Sequence, residues 1–142
     1  MLKGISCLIS PDLIKMLMEM GHGDEIVFGD SNFPSASHAQ RLIRADGHTI
    51  TDLLNAILPL FPLDYSFENS AVLMACSGES EPVVWSKYKE ILSQHPEGSK
   101  PFLILTKTEF YHRARQAYCV VATSEKEGFA NLIIRKGVIV ES

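Results

Sequence analysis

The sequence predicts an α/β fold in which helices cover both faces of a mixed β-sheet. Short apolar runs of strand length alternate along the chain with segments whose apolar residues recur at helical spacing. Hydrophobic residues make up 46% of the sequence and charged residues 21%, which is the balance of a globular protein. Because 142 residues suit one core better than two, we expect a single three-layer α/β/α domain spanning residues 1–142.

The first half of the chain is predicted to contain two helices and one strand. A Ser-Pro-Asp motif supplies a cap, a first-turn proline and a first-turn acid for a helix from Ser10 to Met20, with Gly21 as its stop. The apolar run from Glu25 to Phe28 predicts a short buried strand. The polar stretch from Gly29 to His38 predicts an exposed loop. A second helix is predicted from Thr51 to Leu58, before two prolines.

The second half alternates more regularly between the two kinds of element. The predicted strands are Ala71 to Cys76, Phe102 to Leu105, Tyr118 to Thr123 and Asn131 to Ile134. The predicted helices begin at Pro82 and near Thr108, and a Pro/Gly loop from Gln94 to Lys100 separates the first of them from the next strand. This alternation is typical of α/β proteins.

Charge, cysteine usage and missing motifs argue against several functional classes. The net charge of −4 and the scattered basic residues do not favour nucleic-acid binding. The N-terminus lacks the apolar stretch of a signal peptide and no run reaches membrane-spanning length, so we expect a cytoplasmic protein without membrane contact. The three cysteines form no CxxC pair, and Cys76 and Cys119 are predicted to be buried thiols. The sequence has no phosphate loop, nucleophile elbow or dinucleotide motif.

The densest polar cluster is the segment from Gly21 to Glu25, followed by Asp30. His22 lies just beyond the first helix, where the negative end of the helix dipole favours the protonated imidazole. A histidine that gains and loses its proton near neutral pH suits acid/base catalysis. A strand separates His22 from Asp30, so the two side chains meet only if the loop after Phe28 curls back over the helix end. The alternative is a tight turn with a solvated histidine. The spacing of these residues does not match a metal site.

The segment from Phe129 to Asn131 is a second candidate for ligand binding. Asn131 is the one polar residue that opens an apolar strand. Its amide either caps the chain locally or offers a donor and an acceptor to a ligand hydroxyl. Trp85 and Tyr88 lie at helical spacing and are predicted to belong to the core or to an interface.

Motifs along the whole chain occur in a distinctive order and spacing. They are Met1-Leu-Lys-Gly-Ile, Ser10-Pro-Asp-Leu, Glu19-Met-Gly-His-Gly-Asp-Glu-Ile, Asp30 with Asn32-Phe33-Pro34, Arg44-Ala-Asp-Gly, Pro59-Leu-Phe, Phe110-Tyr111 and Lys136-Gly-Val. In this order they resemble the fucose mutarotase and ribose pyranase family, RbsD/FucU, and its L-fucose branch in particular. The motif from Met20 to Ile26, followed by Asp30, is the most specific part of the resemblance.

The resemblance implies an RbsD/FucU-like α/β fold and a homo-oligomer, commonly a decamer, with sugar sites near the subunit interfaces. It implies an isomerase that interconverts the α and β anomers of L-fucose by acid/base-catalysed ring opening and closure, without a cofactor. By motif, His22 falls on the family's catalytic histidine. The positions that fall on its sugar-binding residues are Asp30, Lys107, Phe129, Ala130 and Asn131.

The sequence departs from the family pattern at two of these places. The fucose branch often has Arg where Lys107 stands, and Tyr-Gly-Asn where this chain has Phe129-Ala130-Asn131. Lysine keeps the charge but lacks the planar two-pronged donor, and Phe129 lacks a hydroxyl. The second proton carrier is therefore open among water, a backbone-held hydroxyl and a tyrosine such as Tyr111. The competing interpretations are the same chemistry on ribose or another monosaccharide, and a non-catalytic sugar-binding accessory protein.

Overall fold

Helices and strands alternate through the computed structural model, which describes residues 1–78 and 80–141. In chain order the elements are α1 (Pro11–Glu19), β1 (Glu25–Gly29), α2 (Ser35–His38), β2 (Leu42–Ala45), α3 (Ile50–Ile57), β3 (Val72–Met74), α4 (Val83–Ser93), β4 (Leu103–Leu105), α5 (Lys107–Gln116), β5 (Cys119–Thr123) and β6 (Leu132–Arg135). The α/β class predicted from the sequence is confirmed.

The strands form one mixed sheet in the order β2-β5-β1-β6-β3-β4. Strands β1, β2 and β5 pair in parallel, as do β3 and β4, whereas β6 runs antiparallel to both β1 and β3. Five strands therefore end at one edge of the sheet, and β6 begins at that edge. The edge where the five parallel strands end is called the carboxyl edge below, and the other is called the amino edge.

Two apolar clusters, one on each face of the sheet, make the three-layer arrangement. Side chains of β1 alternate between the faces, so that Ile26 and Phe28 join one cluster and Val27 joins the other. The first cluster packs against the buried sides of α1, α3 and α4. The second packs against Phe110 of α5 and against Phe33, beside α2. Helices thus cover both faces, as the sequence predicted.

The helix starts follow from local sequence. Ser10 caps α1 by accepting a hydrogen bond on Oγ from the Leu13 amide at 3.1 Å. Thr106 and Glu109 form a reciprocal capping box at the start of α5. The predicted end of α1 at Met20 is wrong by one residue, because the helix ends at Glu19 and the chain is already extended at Met20. Among the described helices, none is long and apolar enough to cross a membrane.

Two elements were not predicted from the sequence. Strand β2 pairs with β5 at the end of the sheet and exposes alternate residues, so Arg44 interrupts its apolar pattern. The segment from Gly29 to His38 was expected to be an exposed loop, but Asp30, Phe33 and Ser35 are buried and α2 forms within it. Phe33 accounts for the difference, because its ring packs edge-on against Phe110 at a centroid distance of 6.0 Å and draws the loop onto the sheet.

The cysteines are free thiols in three different environments. Cys119 is fully buried, and burial raises its pKa to about 12. Cys7 is exposed. Cys76 is only half-buried, which corrects the prediction that it lies in the core: β3 ends at Met74, so Cys76 is already in the loop that follows.

Candidate active site

A cavity of about 300 Å³ lies at the carboxyl edge of the sheet. Ligands of open α/β sheets usually bind at this edge, because the loops after parallel strands converge there. The residues that line it are Asp30, Asn32, Phe33, Met74, Lys107, Tyr111, Gly128, Phe129 and Asn131. The fold therefore brings together four of the five residues expected to bind a sugar, and the fifth, Ala130, lies between two of them.

Asp30 directly follows β1 and is 6% exposed. Its backbone amide donates to Asn131 Oδ1 at 2.8 Å, and its carboxylate Oδ1 accepts from the Asn32 amide at 3.0 Å. Burial raises the pKa of Asp30, and the nearby backbone amides of Asn32, Ala130 and Phe33 offset only part of that increase. The carboxylate is therefore poorly hydrated and well placed to accept hydrogen bonds from ligand hydroxyls.

Helix α4 fixes the segment from Phe129 to Asn131. Trp85 Nε1 donates to the Phe129 carbonyl at 2.9 Å, and the Tyr88 hydroxyl donates to the Ala130 carbonyl at 2.7 Å. Phe129 has a φ of 56°, a left-handed conformation that costs about 1–2 kcal/mol outside glycine and needs such support. Trp85 and Tyr88 are buried, as predicted, and they also hold the wall of the cavity in its strained conformation.

Lys107 and Tyr111 come from the first two turns of α5. Lys107 is exposed, and its Nζ lies 5.4 Å from the centroid of the Tyr111 ring. The Tyr111 ring packs edge-on against Phe33 at a centroid distance of 5.3 Å. The cavity that contains the buried Asp30 carboxylate is thus also lined by an exposed ammonium group and a phenol.

His22 lies at the other edge of the sheet. Five extended residues of β1 separate it from Asp30, and they span about 13 Å. The loop after Phe28 does not curl back toward α1, because Phe33 packs against α5 on the opposite face. Within one chain, His22 and Asp30 therefore cannot contact the same monosaccharide.

The immediate surroundings of His22 are Asp64 and Tyr65. His22 Nε2 lies 3.0 Å from Asp64 Oδ1, and the imidazole stacks on the Tyr65 ring at a centroid distance of 6.1 Å. The side chain of His22 is 44% exposed, whereas that of Asp64 is 2% exposed. His22 is therefore backed by a buried carboxylate and open in front.

The side chain of Lys136 lies at the C-terminus of α1. The sequence had suggested that His22 would interact with the helix dipole at this place. The Lys136 ammonium donates to the carbonyls of Leu17 and Met20, both at 2.6 Å. Burial lowers the pKa of Lys136, and the nearby Asp24 carboxylate opposes that decrease. The charge that complements the helix end comes from lysine, which leaves His22 free to face outward.

An apolar cavity of about 500 Å³ adjoins His22. Its walls come from α1, from Leu60 and from the C-terminal segment after β6. Met18 and Ile139, which both line this cavity, are 78% and 76% exposed. Exposed apolar surfaces of this kind mark contacts with another protein, a membrane or a ligand.

Asp64, which lies beside His22, and Ser66, which donates to Asp64, were not predicted from the sequence. The available signal was weak: Asp64 follows Pro62 and precedes Ser66 by two positions, which is the pattern of an aspartate-stabilised turn. Only the fold brings that turn beside a residue 42 positions earlier. Across residues 1–78 and 80–141, no three His, Cys, Asp or Glu side chains are grouped to hold a metal ion.

Comparison with known proteins identifies the family of this mixed-sheet chain. The model of the RbsD / FucU transport protein family matches residues 3–139, so the chain belongs to this family.

Solved structures of family members are similar over nearly the whole chain. The fucose mutarotase from Streptococcus pneumoniae, in complex with L-fucose, is 48% identical, covers 98% of this chain and 100% of its own, and has a TM-score of 0.93. FucU from Bifidobacterium longum is 40% identical over 97% of this chain and 100% of its own, with a TM-score of 0.92. RbsD from Bacillus subtilis, complexed with D-ribose, is 21% identical over 99% and 100%, and its TM-score of 0.77 shows the shared fold.

Proposed function

We propose that this chain is a mutarotase that interconverts the α and β anomers of L-fucose, acting as one cytoplasmic domain over residues 1–142. The observation that carries the proposal is the carboxyl-edge cavity, which gathers Asp30, Lys107, Phe129 and Asn131 in a chain 48% identical to a fucose mutarotase that binds L-fucose. A cavity of about 300 Å³ suits a monosaccharide, and its polar groups match the hydroxyls of a sugar.

Mutarotation needs two proton transfers. One group takes the proton of the anomeric hydroxyl while another protonates the ring oxygen, and the aldehyde then recloses on its other face. Each positioned acid or base contributes about 10²–10⁴-fold to the rate. In this chain Asp30 and Asn131 would hold sugar hydroxyls, Phe129 would cover an apolar face of the ring, and His22 would carry the principal proton.

Because His22 and Asp30 lie at opposite edges of the sheet, we assign the histidine of each site to a second copy. The apolar cavity beside His22, with the exposed Met18 and Ile139, is the surface we assign to that contact. A homo-oligomer in which His22 of one copy enters the carboxyl-edge cavity of the next fits both observations. A decamer is the form implied by the resemblance, and light scattering after size exclusion measures it.

Tyr111 is the proposed second proton carrier. Its side chain lines the cavity and carries a hydroxyl, which Phe129 lacks. Tyr111→Phe should therefore lower the exchange rate while leaving L-fucose binding intact. An unchanged rate in this variant would exclude Tyr111 and leave water or a backbone-held hydroxyl as the second carrier.

The first experiment is NMR saturation transfer between the two anomers of L-fucose, with D-ribose measured in parallel. Protein-dependent exchange on L-fucose that is lost in His22→Ala would support the proposal. Binding of sugar without exchange on either substrate would instead identify a non-catalytic sugar-binding protein. Faster exchange on ribose would keep the chemistry and change the substrate.

Mixing two inactive variants tests whether the site is shared between copies. His22→Ala and Asp30→Asn each lack one half of the site, so each alone should be inactive. Copies dissociated, mixed in equal amounts and reassembled should regain about one quarter of the wild-type activity, because a random neighbour pair combines both intact halves with that frequency. No recovery from an oligomer shown to have mixed would rule out the shared site.

A further inference from the structure

The side chain of His22 makes one hydrogen bond within the described part of the chain, from Nε2 to Asp64 Oδ1 at 3.0 Å. The carboxylate is buried behind the ring and the ring is half-exposed in front. The geometry therefore distinguishes the two ring nitrogens: Nε2 is turned inward and Nδ1 is left for a ligand.

Asp64 accepts hydrogen bonds from two donors besides His22. Its Oδ1 receives the Ser66 amide at 3.0 Å and the Ser66 hydroxyl at 2.7 Å. Burial acts to raise the pKa of Asp64, but the Ser66 hydroxyl and amide and His22 outweigh burial, so the pKa lies below its ordinary value. An ionised carboxylate has no proton to donate. Consequently, the shared proton must be on His22 Nε2.

The loop that carries Asp64 is held from two further sides. Lys100 Nζ donates to the carbonyls of Tyr65 and Phe67, at 2.9 and 2.7 Å. The guanidinium of Arg135 stacks over the Phe67 ring at 4.0 Å. A carboxylate fixed in this way can fix the orientation of an otherwise mobile surface imidazole.

We infer that Asp64 is a positioning residue for the mutarotase reaction: it keeps the proton on His22 Nε2 and thereby makes Nδ1 the atom that exchanges a proton with the sugar. The expected effect on turnover rests on the proposed function, whereas the position of the proton on His22 rests on the Asp64–His22 contact alone. Asp64 need not touch the substrate, because the imidazole stands between them. Its removal should act on turnover and leave sugar binding unchanged.

The tautomer is tested on the wild-type protein by ¹⁵N NMR of the histidine side chains, with His22→Gln used to assign the signal. At a pH where His22 is neutral, its Nε2 should have the chemical shift of a protonated nitrogen and its Nδ1 that of an unprotonated one. Protonated Nδ1 in the neutral ring would overturn the inference. This arm does not depend on activity, so it stands even if the proposed function fails or Asp64 variants do not fold.

Kinetics test the consequence. Asp64→Ala should lower kcat for anomer exchange by about 10- to 100-fold with KM unchanged, which is the usual effect of losing a residue that orients a catalytic side chain. Asp64→Asn keeps the shape of the side chain and guards against a folding defect. Asp52→Asn removes the same charge from the exposed first turn of α3 and should leave kcat as in wild type.

The outcomes separate the two claims. If the wild-type protein is active and both Asp64 variants keep its kcat, the positioning role is refuted and the mutarotase proposal stands. A KM that rises by the same factor as kcat falls would show that Asp64 has only a structural role, which would also refute the positioning role. A wild-type protein that exchanges no sugar would refute the proposed function, while the NMR measurement would still decide the Asp64–His22 geometry.

Discussion

Replacing Tyr88 by phenylalanine removes one oxygen atom from the interior and leaves the packed ring in place. Tyr88 is fully buried, and its hydroxyl is the donor to the Ala130 carbonyl at 2.7 Å. Water cannot reach Ala130, which is also fully buried, so the carbonyl would lose its partner without replacement. An unsatisfied buried acceptor costs about 1–3 kcal/mol, and we expect the free energy of unfolding to fall by that amount.

The same substitution should weaken sugar binding. The Ala130 carbonyl is one of two anchors that hold Phe129 at a φ of 56°, and Asn131 follows immediately with its Oδ1 on the Asp30 amide. With that anchor gone, the strained segment can relax and displace the Asn131 amide. We therefore expect KM for L-fucose to rise several-fold in Tyr88→Phe.

The assay is urea unfolding at one protein concentration, followed by intrinsic fluorescence. Burial raises the pKa of Tyr88, and the carboxylates of Glu125, Glu127 and Asp30 raise it further, so the loss should be the same at pH 6 and pH 9. Tyr118→Phe is the matched control, because its hydroxyl bonds to Glu19 at the surface and should cost less than about 0.5 kcal/mol. Tyr88→Phe as stable as that control would refute the reasoning.

Three further predictions follow from other contacts. Asp30→Asn should make the fold more stable at pH 7. The pKa of Asp30 is raised in the folded protein, so the protonated carboxyl favours folding below the unfolded-state pKa, and this stabilisation is lost as the pH rises through the folded-state pKa. Thermal melts at pH 7 and pH 3.5 measure the difference between variant and wild type. Glu25→Gln should cost about 1–3 kcal/mol in urea unfolding, because Glu25 bonds to both Arg113 and Arg135 and is largely buried. Phe129→Tyr should leave anomer exchange about unchanged in saturation transfer, if the ring acts only by stacking.

Each of these has a result that would contradict it. A stabilising effect of Asp30→Asn that persists at pH 3.5 would show that ionisation of Asp30 is not its cause. The control for Glu25→Gln is Asp46→Asn, which breaks the exposed pair with Arg44 and should change the free energy of unfolding by less than about 0.5 kcal/mol. If both variants lost the same stability, burial of Glu25 would not explain its effect. A large gain of activity in Phe129→Tyr would show that a hydroxyl at this position takes part in the reaction.

Much of the fold was predictable because the strongest signals are local. Caps such as Ser10 and apolar runs such as Glu25 to Phe28 specify elements without reference to the rest of the chain. The strand from Leu42 to Ala45 was missed because it is short and half-exposed, and its partner is β5, far along the sequence. The burial of Phe33 likewise depends on Phe110, which no local pattern reveals.

The candidate residues of the site could be named from sequence motifs, but their positions relative to one another could not. Asp30, Lys107 and Asn131 came from motifs, and the parallel strands bring them to one edge. The sequence could not show that His22 lies at the opposite edge, because that depends on how the loop after β1 packs. Asp64 was missed altogether, since an aspartate in a turn looks like a turn residue until the fold places it under an imidazole.

Strand β6, although only four residues long, connects the two edges of the sheet. Because it runs against its neighbours, the residue before it, Asn131, lies in the carboxyl-edge cavity, and the residue after it, Lys136, caps α1 beside His22. Strand β6 therefore sets the spacing, within each copy, between His22 and the carboxyl-edge cavity, which are the two halves of the proposed shared site. In a closed assembly each copy would receive a histidine at one end and present its own at the other. Inserting or deleting a residue in β6 would then disturb every site twice.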